Sequence, residues 1–154
     1  IPFIHRVLLK GLHGEVVRVN ALFDDGAMVA AMCETVFHRV KHRLGNWSPS
    51  TRCLRMADGT VVSAIAKWEG EVELEGVCVR GEFEVFKGAG WSFLFGKPLL
   101  QKFRAVHDYA ADEITVKGDK CTAVLRSQNR QRDATPKDGA TLVTDVEKRD
   151  TLMG

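Results

Sequence analysis

The run VNALFDDGAMVAAM, Val19 to Met32, sets two adjacent carboxylates, Asp24 and Asp25, against Gly26 and Ala27 between two apolar stretches. Charged groups in such a setting are expected to be solvated or paired, because burying an unpaired charge is costly. Asp and Gly are also the ordinary residues of tight turns. The segment is therefore either an acidic turn or a place where a carboxylate moves a proton during chemistry. Two other groupings have suitable residue types. His38 and His42 stand four apart, the spacing of two zinc ligands on one helix face. The intervening Arg39-Val40-Lys41 lacks the Glu of a metalloprotease helix and no third ligand is nearby in sequence, so a solvated polar face is expected. Cys33 precedes a helix and has the type of a low-pKa nucleophile, but a small buried residue is the expected role.

The elements that must position Asp24 can be read from the flanking patterns. HRVLLKGL and EVVRVNALF surround His13-Gly14 as the two arms of a hairpin. AMCETVFHRVKHRLG then sets Met32, Val36, Val40 and Leu44 at helical spacing, with Gly45 as the stop. NWSPSTR reads as a loop, and CLRMADGTVVSAIAKW as a second hairpin with Asp58-Gly59 at its tip. EGEVELEGVCVRGEFEVFK alternates in strand fashion about a Gly76 turn, placing Val72, Leu74, Val77, Val79, Phe83 and Val85 on repeating faces. WSFLFG has the continuous apolar character of a buried strand, Pro98 suits a first helical turn, and RAVHDYAADEITVK reads as a further hairpin. Trp47, Trp68 and Trp91 are expected to line core and cleft. Many short strands with one clear helix and one helical turn predict a mainly β domain, closed or sandwiched, over residues 1–125. Residues 126–154 are polar and mixed in charge, and are expected to form a linker or weakly ordered tail, with TLVTDV as one candidate strand.

Composition narrows the function classes. The chain of 154 residues is long enough for one domain with a full hydrophobic core, and 45% hydrophobic and 27% charged residues are ordinary globular values. A formal charge of +2 is too small to argue for nucleic acid. The basic residues of RSQNRQR are followed by acidic ones, so no direct nucleic-acid contact is expected. Cys33, Cys53, Cys78 and Cys121 contain no C-x-x-C pair, so neither a zinc ribbon nor a disulfide framework is expected, and a reducing compartment is. No stretch approaches the roughly 20 apolar residues of a membrane span, and IPFIHRVLLK lacks the pattern of a signal peptide. Because the first residue is Ile1, the chain is expected to be a fragment of a longer polypeptide.

Three features follow one another in order: an apolar strand ending in Asp-x-Gly-Ala (ALFDDGAMV), an Asp-Gly hairpin (RMADGTVV), and an apolar strand ending in Gly before a helical turn (FLFGKPLLQKFRAVHDY). That series, across roughly residues 5 to 118, resembles the retropepsin-like aspartic proteases, and most closely the protease segment of fungal gypsy-type LTR retrotransposons. The resemblance implies an acid-protease barrel with one short helix and a flap hairpin, forming half of a two-fold dimer. It implies Asp24 as the catalytic aspartate, with Asp25, Gly26 and Ala27 completing the active loop. Met56, Ala57, Asp58, Gly59 and Thr60 would form the flap tip, and Phe95 and Gly96 would support the loop from beneath.

The implied activity is that of an aspartic endopeptidase without metal or cofactor. One carboxylate of a close pair acts as general base on water while its protonated neighbour acts as general acid toward the peptide carbonyl. The pair titrates as a unit. A chain with one such loop supplies one member, so a homodimer must supply the other, and a monomer is expected to be inactive. The flap would close over an extended polypeptide substrate. The implied substrate is the element's own polyprotein, cut in the cytoplasm during particle assembly. One departure bears on activity: Asp25 stands where Ser or Thr is usual, and a carboxylate accepts but does not donate unless protonated. Four carboxylates would then crowd the two-fold axis. The alternative is a catalytically inactive module of the same fold that dimerises or binds peptides. A ubiquitin-linked or DNA-damage adaptor with this fold is a third reading, less favoured because nothing in the chain resembles its partner domains.

Overall fold

The computed structural model describes residues 2–87 and 90–129. The chain opens on β1 (Phe3–Lys10) and β2 (Val16–Phe23), paired antiparallel from Phe3↔Phe23 to Lys10↔Val16. The expected hairpin turn lies between them, with Gly14 at φ 90°. β3 (Ala31–Cys33) leads directly into α1 (Glu34–Leu44), which ends at Gly45. There follow β4 (Trp47–Ser48), the hairpin β5 (Cys53–Arg55) and β6 (Val61–Ser63), and the long pair β7 (Ala66–Leu74) and β8 (Val77–Phe86). The series closes with β9 (Phe93–Phe95), α2 (Lys97–Lys102), β10 (Val106–Asp108), β11 (Glu113–Lys117) and β12 (Thr122–Arg126).

The order β1-β2-β9-β3-β8-β7 returns to β1 through Leu8↔Glu73, Leu9↔Val72 and Lys10↔Glu71, giving a closed, mainly β barrel, the arrangement the resemblance implies and one of the two the strand pattern allows. Closure satisfies the backbone of both outer strands and removes the exposed edges of an open sheet. Alternation fixes which side chains enter the barrel. Val17, Val19, Ala21 and Phe23 point in from β2, Val7 and Leu9 from β1, and Trp68, Val72 and Leu74 from β7. Phe83 is the centre of the aromatic packing, stacked on Trp68 at 5.1 Å and edge-on to Phe93 at 5.1 Å. Helix α1 covers this core with Val36, Phe37 and Leu44.

Three local readings differ from the sequence patterns. Met32 follows helical spacing but belongs to β3, because Ala31, Met32 and Cys33 are wanted between β8 on one side and β9 on the other. Long-range pairing there outweighs local periodicity. Within the predicted loop, Trp47 and Ser48 pair with Trp68 and Lys67 as a two-residue strand. β12 carries no strong pattern; it buries only Leu125 and is joined to β11 by a five-residue antiparallel ladder and the Arg126–Glu113 ion pair. Beyond it, the Ile4 N–H donates to Ser127 Oγ at 3.1 Å and the Arg6 N–H to Gln128 Oε1 at 2.8 Å, so residues 127 and 128 lie along β1. The remainder of the expected tail, including TLVTDV, lies outside the described residues.

Candidate active site

The Asp24 loop is set by the parallel pairing of β2 with β9, in which Phe23 faces Phe95 and their rings stack at 4.4 Å. Phe3 meets the edge of Phe23 and Phe103 lies beside Phe95, so an aromatic column underlies the turn. The Asp24 N–H continues the ladder by donating to the Phe95 carbonyl at 3.1 Å. The chain then folds back on itself. The Ala27 N–H donates to the Asp24 carbonyl at 3.1 Å, and the Gly26 N–H to Asp24 Oδ1 at 2.9 Å. Among the described residues nothing bonds Asp24 Oδ2, and both Asp24 and Asp25 are exposed.

Gly96 lies beneath this turn. A Cβ at Gly96 would fall 1.9 Å from the Val29 carbonyl oxygen and 3.0 Å from that of Ala27, so only glycine permits the approach. The Lys97 N–H then donates to the Ala27 carbonyl at 2.8 Å, tying the start of α2 to the loop. Pro98 occupies the first turn of α2, where a missing N–H is harmless. The fold thus brings together Asp24, Asp25, Gly26, Ala27, Phe95 and Gly96, residues drawn from two segments about seventy positions apart.

The predicted hairpin residues form a separate turn. The Met56 N–H donates to the Thr60 carbonyl at 2.7 Å and the Gly59 N–H to that of Met56 at 2.9 Å, with Gly59 at φ 90°. The Thr60 side chain and N–H hold the Asp58 carboxyl below the usual carboxylate range. Met56 is half-buried, while Ala57, Asp58, Gly59 and Thr60 are exposed. Lower on the hairpin, Leu54 and Val62 pack on Val29, Ala31, Phe86 and Leu94, the same small apolar cluster that Ala27 touches. That cluster links the base of the hairpin to the Asp24 loop.

Two contacts at the site escape sequence reasoning. Tyr109 Oη donates to Asp25 Oδ2 at 2.8 Å across 84 residues of sequence. Its phenol is raised above its ordinary value, first by that hydrogen bond and then by the Asp25 charge. At the hairpin root, Arg52 Nε donates to the buried Glu84 at 3.1 Å. No spacing rule links either pair, since each joins segments that meet only through tertiary packing. A cleft of about 780 Å³ opens on the other side of the Asp24 loop, between it, α2 and the β10–β11 turn.

His38 Nε2 lies 3.2 Å from Glu34 one helical turn earlier, and among the described residues no group of three or more His, Cys, Asp or Glu side chains gathers to hold a metal. Cys33 is buried, and all four cysteines are free. Trp68 is core, while Trp47 and Trp91 pack partly buried against it.

No protein-family model matches the chain. Solved structures share its fold. The retroviral protease-like domain of Ddi1 from Leishmania major superposes with a TM-score of 0.58 at 16% identity, over 83% of this chain and 97% of that one. EIAV protease complexed with the inhibitor HBY-793 gives 0.53 at 18% identity, over 66% of this chain and 86% of that one. The barrel is therefore of the retropepsin-like aspartic protease class in fold. No helix among the described residues is long and apolar enough to cross a membrane.

Proposed function

We propose that the chain is an aspartic endopeptidase of retropepsin type, active as a homodimer. The observation that carries this reading is the state of Asp24. Its Oδ1 is fixed by the Gly26 N–H, its Oδ2 is free of partners among the described residues, and the loop is exposed on a support that tolerates no side chain at Gly96. A second copy of such a loop, facing the first across a two-fold axis, supplies the neighbouring carboxylate. The two carboxylates then share one proton. The ionised Asp24 takes a proton from water as the oxygen attacks the peptide carbonyl, and the protonated Asp24 of the other chain donates to the carbonyl oxygen. The hairpin carrying Met56 to Thr60 serves as the flap, aligning an extended polypeptide by strand-like hydrogen bonds and excluding water. The natural substrate is the polyprotein of a fungal gypsy-type retrotransposon, processed in the cytoplasm.

The test is a peptide library offered to protein shown to be dimeric, over about pH 3 to 7, with a pepstatin-like inhibitor in parallel. Cleavage blocked by the inhibitor is expected. A dimer that cleaves nothing and binds no such inhibitor contradicts the reading and leaves a non-catalytic module of this fold.

A further inference from the structure

Asp25 places a second anion beside Asp24 on an exposed loop, where the Gly26 and Ala27 N–H groups are already committed to Asp24. It needs a donor. Lys97, Arg104, His107, Tyr109 and Asp112 face it around the cleft. Arg104 is engaged with the Gly118 carbonyl at 2.7 Å, and His107 with Asp112 at 3.1 Å. Tyr109 alone among the described residues reaches Asp25, at 2.8 Å.

That phenol is held in place rather than merely nearby. Its ring stacks on His107 with centroids 4.0 Å apart, and His107 is fixed in turn by Asp112 and by the edge of Phe3 at 5.4 Å. Tyr109 is nevertheless 69% exposed, so the His107 stack and the hydrogen bond to Asp25, not burial, set its orientation. A neutral O–H donor meeting a carboxylate makes a charge-assisted bond, stronger than one between neutral groups.

We propose that Tyr109 is a positioning residue of the Asp24 loop, donating to Asp25 within the same chain and so anchoring the side chain that stands where a hydroxyl is usual. Asp25 then holds the loop as an acceptor and needs no proton of its own to do so. The chain Asp112, His107, Tyr109, Asp25 fastens the β10–β11 turn to the catalytic loop. The contact itself stands on geometry alone, and only its consequence for cleavage rests on the protease reading above.

Tyr109 is the single tyrosine of the chain, so the phenolate absorbance reads this residue without interference from another. In the intact protein its titration is expected to lie above the ordinary phenol value of about 10. Asp25→Asn, which keeps the side-chain shape and removes the charge, is expected to bring it down. A midpoint at the ordinary value, or one that Asp25→Asn leaves in place, overturns the proposal whether or not the protein cleaves peptides. For the catalytic consequence, Tyr109→Phe is expected to change the pH profile of cleavage, with a smaller effect in the Asp25→Thr background, where a hydroxyl is restored. An equal loss at every pH and in both backgrounds would mean that Tyr109 is only structural.

Discussion

Gly96 and Val29 approach so closely that a Cβ on the glycine would stand 1.9 Å from the valine carbonyl oxygen. Backbone rather than a movable side chain blocks the space, so Gly96→Ala must push the loop and α2 apart. Overpacking of a tight site typically costs about 1–3 kcal/mol. Urea denaturation is expected to show a loss in that range, together with loss of any activity. A variant as stable and active as the parent would mean that the approach is not needed.

Arg52 and Glu84 tie the root of the β5–β6 hairpin to β8. Glu84 is 5% exposed, so removing its partner strands a buried charge, whereas Arg52 retains access to water. Arg52→Met is expected to destabilise by about 1–3 kcal/mol, the cost of an unsatisfied buried group. Glu84→Gln is expected to cost less, and Arg52→Met added to it less than Arg52→Met alone. Additive losses in this double-mutant cycle would show that the two side chains are not coupled.

Lys10 and Glu73 meet at 2.8 Å where β7 closes the barrel onto β1. The hydrogen bond between them lowers the Glu73 carboxyl and raises the Lys10 amine. The Glu73 contribution is present above its unfolded value of about 4.3 and is lost as pH falls through the lowered folded value. The Lys10 contribution is present below about 10.4 and is lost as pH rises through the raised folded value. Lys10→Met is therefore expected to reduce stability by about 0.2–1 kcal/mol near neutrality, the lower end being favoured by partial exposure. The difference from the parent should shrink at both extremes. A difference that does not vary with pH would assign the effect to lost packing of the Lys10 stem.

The parts of the fold legible in the sequence are those whose information is local. Gly14, Gly59 and Gly76 each mark a hairpin turn and each adopts positive φ. The alternation through Val72, Leu74, Val77 and Val79 gives β7 and β8 directly. Asp24, Gly26 and Gly96 were readable as a set because their order along the chain is characteristic, although neither composition nor periodicity brings β2 beside β9. Met32 misled because a three-residue strand between two long-range partners has no periodicity of its own. Tyr109 and Glu84 were illegible for a related reason: their partners lie far away in sequence and meet only through tertiary packing.

Cleavage by the Asp24→Asn variant tests the central claim most directly. The substitution retains size and an acceptor for the Gly26 N–H, so the folded dimer is expected to persist by circular dichroism and sedimentation. The parent dimer is expected to cleave a peptide substrate, and Asp24→Asn to reduce the rate by about 10²–10⁴-fold, the usual contribution of an acid–base group. A folded Asp24→Asn dimer that cleaves as fast as the parent would contradict the assignment of Asp24 and place the chemistry elsewhere.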